Sequence, residues 1–364
     1  MKKIKRIGIL TGGGDCPGLN AVIRAVVKSA VHTYRWQVVG FMDGFRGLVE
    51  GWSVELSDQA VSGILVRGGT VIGTNNRANP FAYTYSPDGK TIAPVDRSKE
   101  ALLNLKKNEI DALVCIGGDG TLHMTQKLFE MGVAVIGVPK TIDNDLSATD
   151  VTFGFDTALT IATEGVDRLH STAESHNRVM LLETMGRYAG WIALRAGIAG
   201  GADVILIPEI PYRIESVVEA IERRNDRGKG FTIIVVSEGA KPLGGEMVVR
   251  AKVEGSTDPL RLGGVSYVIA DAIEKKMEVE TRVAILGHLQ RGGTPSPYDR
   301  WLATRYGAAA AQLLNESRFG EMVALRGTEI RGVPIKDAIS QLKCVDPKSE
   351  EVQAAKAIGV CFGD

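Results

Sequence analysis

Short apolar runs alternate along most of the chain with longer segments whose apolar positions recur at helical spacing. Eight of the short runs predict β-strands: Ile7–Leu10, Val38–Phe41, Ala112–Ile116, Ala134–Val138, Val179–Leu182, Val204–Ile207, Ile233–Val236 and Val283–Leu286. Six of the longer segments predict helices: Ala21–Ala30, Lys99–Lys107, Leu122–Met131, Ala158–Leu169, Ile214–Arg224 and Val265–Lys276. Continuous apolar strands that alternate with helices are typical of parallel sheets with helices on both faces.

The length of the chain, 364 residues, is enough for two domains that each bury a core. No fixed-period repeat is visible, and no low-complexity linker separates the two halves. We therefore expect an α/β fold of two intertwined, doubly wound domains with mainly parallel sheets. The last stretch, residues 328–364, is weakly patterned, and we expect a C-terminal extension that packs on the body and carries no chemistry.

Composition narrows the function classes without selecting one. The 43 basic residues balance the 43 acidic ones, so the net charge gives no sign of nucleic-acid or membrane binding. The basic start of the chain is followed by only four apolar residues, and no stretch approaches the length of a membrane span. The four cysteines are scattered without metal-type spacing, which favours buried, reduced thiols: Cys16, Cys115, Cys344 and Cys361. We expect a soluble, cytoplasmic protein.

Two glycine clusters lie between a predicted strand and a predicted helix. Gly12-Gly13-Gly14-Asp15 follows the first strand, and Gly117-Gly118-Asp119-Gly120 follows the third. Glycine lets the backbone approach an anion closely, and a helix N-terminus then offers free N–H groups to it. Neither cluster is a complete Walker A or GxGxxG motif, and each alone is equally consistent with an ordinary tight turn. Two such loops, each with an aspartate, favour phosphate binding.

The segment from Pro139 to Asp145 is harder to explain as structure alone. It follows the apolar strand Ala134–Val138 and holds two carboxylates, an amide, a hydroxyl and an amine within seven residues. A solvated loop has a similar composition. However, Asp143 and Asp145 at the end of a buried strand are typical of an acid–base and metal-binding pair.

Five motifs in order resemble the phosphofructokinase family, over residues 5 to about 315. They are Thr11–Asn20, Gly117–Thr121, Pro139–Asp145, Met185–Tyr188 and Gly287–Gly293. The resemblance implies transfer of a phosphoryl group from MgATP to the 1-hydroxyl of fructose 6-phosphate, the committed step of glycolysis. It also implies a donor domain of residues 1–154 plus about 290–327, a sugar-phosphate domain of residues 155–289, and an active site between them.

The resemblance also assigns roles in phosphoryl transfer, a reaction that needs positioning and charge neutralisation above all. Asp143 is expected to be the base, Thr141 to hold the transferring group, and the N–H of Gly14 to stabilise its charge. Arg77 is expected to bridge donor and product phosphates, although it lies one residue later than in the usual pattern, which leaves Asn76 as an alternative. Asp119 is expected to engage Mg²⁺, with Asp145 orienting the metal region. The donor is expected to contact Gly13, Gly14, Arg77, Gly118, Asp119, Gly120 and Thr121.

A second group of residues matches family positions that bind the sugar phosphate. The sugar-binding residues of the family correspond here to Thr141, Asp143, Met185, Gly186, Arg187 and Glu238. Arg187 is also expected to lie near the transferring phosphoryl group and to act in catalysis. Those that grip the 6-phosphate, in some relatives from a neighbouring subunit, correspond to Arg178, Arg282, His288 and Arg291. The planar guanidinium suits bidentate phosphate binding.

Two residues bear on the choice between ATP and pyrophosphate as donor. Gly120 leaves room for the α-phosphate of ATP, where many pyrophosphate-dependent relatives carry Asp. Lys140 is typical of pyrophosphate users, since many ATP-dependent bacterial relatives have Gly there. We favour ATP, because a carboxylate against an α-phosphate is not tolerated, whereas a flexible lysine can turn aside. The mixed pattern keeps a pyrophosphate-dependent, reversible phosphotransferase as the alternative.

The resemblance further implies a homo-oligomer, with a tetramer favoured, and an effector site for a nucleotide or phosphoenolpyruvate. Arg24 matches one basic effector position, and Lys28 stands where Arg is common.

Three other functions remain as alternatives. A diacylglycerol- or NAD-kinase relative would lack the Pro139–Asp145 motif, a sugar-phosphate sensor would have lost Asp143 or Asp119, and an NAD-dependent oxidoreductase would need a complete dinucleotide-binding unit.

Overall fold

The structure, a computed structural model, describes residues 3–85, 91–252 and 260–364. Its strands are β1 (Arg6–Thr11), β2 (Gln37–Phe41), β3 (Ser53–Glu55), β4 (Tyr83–Tyr85), β5 (Thr91–Val95), β6 (Ala112–Gly117), β7 (Val135–Pro139), β8 (Val179–Thr184), β9 (Val204–Leu206), β10 (Thr232–Ser237), β11 (Val249–Lys252), β12 (Leu260–Leu262), β13 (Thr281–Ile285), β14 (Glu321–Arg326) and β15 (Glu329–Pro334). Its α-helices are α1 (Leu19–Lys28), α2 (Phe45–Glu50), α3 (Ser98–Lys107), α4 (Asp119–Glu130), α5 (Phe155–His176), α6 (Trp191–Ala199), α7 (Ile214–Asp226), α8 (Val265–Glu274), α9 (Pro297–Asn315), α10 (Ile335–Ala338) and α11 (Glu350–Ala357).

Two sheets organise the chain. The larger has the strand order β15-β14-β7-β6-β1-β2-β3, and its five central strands are parallel. The smaller has the order β13-β8-β10-β9 and is parallel throughout. The predicted α/β fold with mainly parallel sheets is confirmed. The larger sheet takes strands from residues 6–139 and 321–334, and the smaller from residues 179–285, while the exact domain boundaries stay predictions.

The chain leaves β1 for β2 on one side and later returns to β6 on the other. The strand order therefore reverses between β1 and β6, the position where open α/β sheets bind ligands at their carboxyl ends. Both glycine clusters lie at this reversal, because Thr11 at the end of β1 is in register with Ile116 in β6.

All eight predicted strands and all six predicted helices are present, with ends that differ by a few residues. The pattern missed α2, α6, α9, α10 and α11. In α9 the buried positions form one stripe, but that stripe includes Asp299 and Gly307, while Trp301 on the opposite face is exposed, so the contrast between apolar and polar faces is weak. At Gly307 of α9 an added Cβ would lie 2.7 Å from the carbonyl oxygen of Val22 in α1, so the two helices pack backbone to backbone. Ser296 and Pro297 mark its start, since the Ser296 side chain accepts from Asp299 N–H.

Residues 328–364 contain more secondary structure and packing contacts than their weak sequence pattern indicates. β15 pairs antiparallel with β14 and so adds an edge strand to the larger sheet. Cys361 forms a parallel bridge with Val204 at the edge of the smaller sheet, and Phe362 is fully buried. The extension therefore packs against both sheets. The expectation of buried thiols is confirmed for Cys16 and Cys115, but it was wrong for the extension, where Cys344 is exposed and Cys361 is partly exposed.

Candidate active site

The first wall of the site consists of three loops at the carboxyl ends of neighbouring strands. β1 leads into Gly12–Asp15, β6 leads into Gly118, and β7 leads into Lys140–Asp145. β6 lies between the other two, and Gly117 at its end pairs with Pro139 of β7. Parallel strand register therefore brings three separate stretches of sequence to one edge of the larger sheet.

Because glycine has no side chain, the glycine loops approach neighbouring groups closely. A Cβ at Gly12 would lie 2.5 Å from Oγ1 of Thr121, and one at Gly117 would overlap the same threonine. A Cβ at Gly14 would overlap the guanidinium of Arg291, which crosses from the other wall and donates to the carbonyl oxygen of Asp15 at 3.0 Å. A side chain at Gly12 or Gly117 would therefore displace the buried Thr121, and one at Gly14 would require the Arg291 guanidinium to move.

The N-terminus of α4 faces the site. Asp119 and Gly120 are its first two residues, so free N–H groups and the positive end of the helix dipole lie at the cleft. Burial raises the pKa of the Asp119 carboxyl, and His123, one turn later, partly offsets that rise. The two side chains are 3.4 Å apart. The sequence interpretation gave His123 no role, although its i, i+4 spacing from Asp119 was the available signal.

Asp143 and Asp145 form a coupled carboxylate pair in a tight turn. Asn144 between them has a φ of 52°, a left-handed conformation that is uncommon for a non-glycine residue. Thr141 Oγ1 accepts from the backbone N–H of Asp143 at 3.1 Å. Burial raises the pKa of the Asp143 carboxyl to about 7, and the charge of Asp145 adds to the rise. A carboxyl with a pKa near neutrality is suited to take up a proton during catalysis.

The second wall lies at the carboxyl edge of the smaller sheet. β8 leads into Met185–Arg187, β10 into Glu238, and β13 into a 3-10 turn at Gly287–Arg291. Gly186 has a φ of 133°, which favours glycine, and its carbonyl accepts from Ser237 Oγ at 2.5 Å. Burial raises the pKa of the Glu238 carboxyl, and the nearby Arg187 guanidinium opposes that rise.

The two walls enclose a cleft of about 630 Å³. The residues predicted from the sequence that line this cleft are Gly13, Gly14, Asp119, Gly120, Asp143, Met185, Arg187, Glu238, His288 and Arg291. Four further predicted residues are close neighbours in sequence of this lining but do not belong to it: Gly118, Thr121, Thr141 and Gly186. The cleft therefore joins glycine loops and carboxylates on one wall to arginines, a histidine and a glutamate on the other.

Lys140 does not line the cleft. It is buried, its ammonium donates to the carbonyl oxygen of Gly14, and burial lowers its pKa. Its ammonium thus contacts the first glycine loop, and its side chain is not among the groups that line the cleft with Gly120.

The structure separates Arg178 and Arg282 from the cleft. Arg178 precedes β8 and Met185 follows it, so the length of a six-residue strand, about 20 Å, lies between them. Both arginines pair with Glu280, Arg178 through an Nε–Oε2 contact of 2.7 Å. Within one chain they lie at the amino-terminal edge of the smaller sheet.

Arg77 and Asn76 share one recess, but only Asn76 reaches the main cleft. Both line an adjoining space of about 270 Å³ together with Gly14 and Asp15, and Asn76 lines the main cleft as well. Both side chains are exposed. The bridging role expected of Arg77 stays a prediction.

The residues present fit a Mg²⁺ ion that is held largely by phosphate and water. Within residues 3–85, 91–252 and 260–364, no group of three or more His, Cys, Asp or Glu side chains could hold a metal alone. In the same described part, Oδ1 of Asp143 and Oδ1 of Asp145 are buried without a hydrogen-bond partner. Mg²⁺ commonly binds one or two carboxylates together with substrate phosphates and several waters.

Sequence reasoning assigned no role to four other cleft residues: Asp15, Tyr188, Leu262 and Leu342. Asp15 and Tyr188 belong to recognised motifs, so their position was the available signal. Leu262 lies at the end of β12, and Leu342 belongs to the C-terminal extension. No local pattern pointed to these two, because long-range packing brings them to the cleft.

Comparison with known proteins agrees with this geometry. A family model described as phosphofructokinase matches residues 6–314. The ATP-dependent 6-phosphofructokinase 2 of Clostridium perfringens is 54% identical over the full length of both chains. The pyrophosphate–fructose 6-phosphate 1-phosphotransferase of Streptomyces coelicolor is 52% identical over 98% of this chain and 100% of that protein. The solved phosphofructokinase of Saccharomyces cerevisiae has a TM-score of 0.76 at 32% identity, covering 92% of this chain and 45% of that longer one.

The fold and the site define a two-sheet α/β phosphotransferase. With the family matched over most of its length, the chain belongs to the phosphofructokinase family. The described helices include none that is both long and apolar enough to cross a membrane.

Proposed function

We propose that this protein is an ATP-dependent 6-phosphofructokinase, which phosphorylates the 1-hydroxyl of fructose 6-phosphate to give fructose 1,6-bisphosphate and ADP, the committed step of glycolysis. The observation that carries the proposal is the position of Asp143. Its carboxyl lies in a cleft between a helix N-terminus with two glycine loops and a wall with Arg187, Arg291 and His288. An anionic donor fits the first wall and an anionic sugar fits the second.

Asp143 is the proposed base that takes the proton of the sugar 1-hydroxyl. Its raised pKa keeps its proton affinity high enough for that transfer near neutral pH. Thr141 and the N–H of Gly14 hold the transferring phosphoryl group in line with the attacking oxygen. Arg187 and Arg77 neutralise charge on that group, and Asn76 is the alternative for the position of Arg77. Most of the rate gain in such a site comes from positioning and electrostatic stabilisation.

For the sugar phosphate we propose two groups of contacts. Met185, Gly186, Arg187 and Glu238 hold the sugar hydroxyls, since they follow β8 and β10 at the edge of the second wall. His288 and Arg291 bind the 6-phosphate from the same chain. Arg178 and Arg282 lie too far from the cleft of their own chain, so we propose that they complete the 6-phosphate site of a neighbouring copy.

The donor is proposed to lie along Gly13, Gly14, Gly118, Asp119, Gly120 and Thr121. Asp119 is the proposed carboxylate ligand of Mg²⁺, and Asp145 orients the region around it. Bound there, the ion would supply charge neutralisation to the donor phosphates. The chain's own contribution is the N-terminus of α4, which offers N–H groups to the same phosphates.

ATP is favoured over pyrophosphate by the environment of two residues. Gly120 lines the cleft without a side chain, so an α-phosphate and nucleoside have room to pass. Lys140 is buried against Gly14 rather than extended into that room. Total sequence identity does not choose the donor, because relatives named for either donor are more than 50% identical to this chain.

Initial rates with fructose 6-phosphate and Mg²⁺, supplying either ATP or pyrophosphate, test the proposal directly. Aldolase-coupled detection follows fructose 1,6-bisphosphate in both cases. We expect turnover with ATP. Turnover with pyrophosphate alone would make the enzyme a reversible phosphotransferase and would assign the decisive role to Lys140. No turnover with either donor, from a folded sample, would support the sugar-phosphate sensor.

We further propose a homotetramer in the cytoplasm. β13 is an edge strand of the smaller sheet, and Ile285 at its end and Leu289 in the following 3-10 turn are 42% and 67% exposed. A second copy would cover these apolar side chains and receive Arg178 and Arg282. The four cysteines are free thiols, as is usual in a reducing compartment. Light scattering coupled to size-exclusion chromatography measures the oligomer directly.

An effector site is proposed around Arg24 and Lys28, for a nucleoside diphosphate or phosphoenolpyruvate. Lys28 pairs with Asp58 at 2.5 Å, and His32 lies 2.7 Å from the same carboxylate. An anionic effector would compete with Asp58 for Lys28. Titrations of ADP and phosphoenolpyruvate that leave the fructose 6-phosphate saturation curve unchanged would contradict this site.

A further inference from the structure

The C-terminal extension reaches the active site through four residues, Leu342–Val345, which we call the tail segment. Leu342 lines the cleft and forms an antiparallel bridge with Leu146, directly after the Asp143–Asp145 turn. The backbone N–H of Lys343 donates to the carbonyl oxygen of Asp145 at 2.8 Å. The tail segment therefore lies along the back of the turn that carries both carboxylates.

The ammonium group of Lys343 is bonded to this turn and to the loop after it. It donates to Oδ1 of Asn144 at 3.0 Å, to the carbonyl oxygen of Thr149 at 3.0 Å and to that of Asp150 at 2.9 Å. An ammonium has three donors and no acceptor, so these three oxygens satisfy it completely. Hydrogen bonds from a charged donor are stronger than neutral ones.

Asn144 is the residue of the turn that most needs such support. Its backbone is left-handed, a conformation that costs free energy for a residue with a side chain. It is also 1% exposed, and its Oδ1 accepts from Thr152 N–H at 3.1 Å in addition to Lys343. Because Asn144 joins Asp143 to Asp145, hydrogen bonds that anchor its side chain also restrain the backbone that carries both carboxylates.

The tail segment also contacts residues between β8 and β10, two strands of the smaller sheet. Trp191, the first residue of α6, donates from Nε1 to the carbonyl oxygen of Lys343 at 2.7 Å. Val345 N–H donates to Oε1 of Glu209 at 2.7 Å, and the same oxygen accepts from Gly190 N–H at 2.9 Å. Gly190 and Trp191 follow the Met185–Tyr188 loop of the second wall. The tail segment thus connects the two walls behind the cleft.

We propose that Lys343 is a positioning residue for phosphoryl transfer: its ammonium holds the Asp143–Asp145 turn in its reactive geometry, and the tail segment couples that turn to the sugar-binding wall. The inference rests on the proposed function, in which Asp143 is the base. Lys343 itself does not line the cleft, so its effect on the reaction passes through Asn144.

Lys343→Met tests the proposal, because it keeps the length of the side chain and removes its three donors. Misplacing a reacting group by about 1 Å can cost about 100-fold in rate, and we expect a kcat loss of that order. KM values for both substrates should stay within about threefold of wild type, since no substrate contact is removed. Lys348→Met is the matched control, because Lys348 is an exposed lysine of the same extension.

Hydrogen exchange of the backbone amides supplies a readout that does not depend on activity. We expect residues 143–152 to exchange faster in Lys343→Met than in wild type or Lys348→Met. Lys343→Gln, which keeps one donor group, should give an intermediate kcat and an intermediate exchange rate. If Lys343→Met does not fold, Lys343→Gln decides by the same two measurements.

The outcomes separate this proposal from the donor assignment. Each variant is assayed with whichever donor the wild-type protein uses, so a switch from ATP to pyrophosphate leaves the test intact. A folded Lys343→Met variant with kcat within about twofold of wild type, or with unchanged exchange at residues 143–152, would overturn the positioning role. If the wild-type protein shows no turnover with either donor, the exchange measurement alone decides whether Lys343 holds the turn.

Discussion

The two walls of the cleft are built in different ways. The wall on the larger sheet relies on the backbone: glycine loops, a helix N-terminus, and a turn whose carboxylates are buried. The wall on the smaller sheet relies on long side chains, among them Arg187, Glu238 and Arg291, and two further arginines lie at the opposite edge of that sheet. After the ligands proposed for them, we call the wall on the larger sheet the donor wall and the wall on the smaller sheet the sugar wall. The strands fix the backbone groups of the donor wall, so that wall can be complete within one chain. The outward-reaching side chains of the sugar wall allow it to be shared between copies.

Gly120→Asp should give the largest effect and breaks the donor wall alone. A carboxylate at the start of α4 would occupy the space for the α-phosphate and repel it, so ATP turnover should fall below detection. Steady-state rates with ATP and with pyrophosphate measure this, and Gly120→Ala is the control for volume without charge. Retained ATP turnover in Gly120→Asp would contradict the steric account of donor choice.

Asp143→Asn removes the proposed base while keeping the shape of the side chain. General base catalysis contributes about 10² to 10⁴-fold, so kcat should fall by that factor with little change in either KM. Single-turnover rates measure the loss, and Asp150→Asn, an exposed aspartate seven residues later, serves as the control. A kcat within tenfold of wild type would require a different base.

Arg178→Ala tests whether the sugar wall is shared. Loss of a charge-assisted contact to phosphate costs about 1.5–3 kcal/mol, so KM for fructose 6-phosphate should rise about tenfold to 100-fold while KM for the donor stays the same. Mixing Arg178→Ala subunits with Asp143→Asn subunits should restore part of the activity, because some sites then receive an intact base and an intact arginine from different chains. Failure of the mixed oligomers to recover activity would indicate that each chain forms its site alone.

The smallest effect concerns pH and the coupled carboxylates of the donor wall. Burial and the charge of Asp145 raise the pKa of Asp143, so kcat/KM should fall as pH drops through about 7, where the base becomes protonated. Asp145→Asn removes the neighbouring negative charge and lowers that pKa, which should move the acidic limb of the profile downward by about one pH unit. The position of the limb is the measured quantity, whatever the absolute rate. A shift upward, or no shift, would contradict the coupling.

The same contrast explains what the sequence predicts. Strands and glycine loops are local patterns, and parallel strands bring their carboxyl ends together, so the donor wall follows from residues read in order. The position of Arg178 and Arg282 cannot be predicted in this way. The length of strand that separates them from the cleft is known only when the assembled sheet is seen. The chemistry near Leu342 and Lys343 was not predicted either, since it depends on a contact almost 200 positions away from Asn144 in the chain. Helix α9 was missed because its buried face contains Asp299 and Gly307 while the apolar Trp301 is exposed on the opposite face, which weakens the amphipathic pattern.

Thr121 has a consequence for anyone who wishes to change the donor preference of this enzyme. Its side chain fills the volume that a methyl group at Gly12 or at Gly117 would need, so the first glycine loop and the start of the second share one small space. Substitutions at these positions should be strongly non-additive: a larger residue at one becomes tolerable only after the threonine is reduced in size. A library that randomises Gly12, Gly117 and Thr121 together would sample functional combinations that a scan of single positions never reaches.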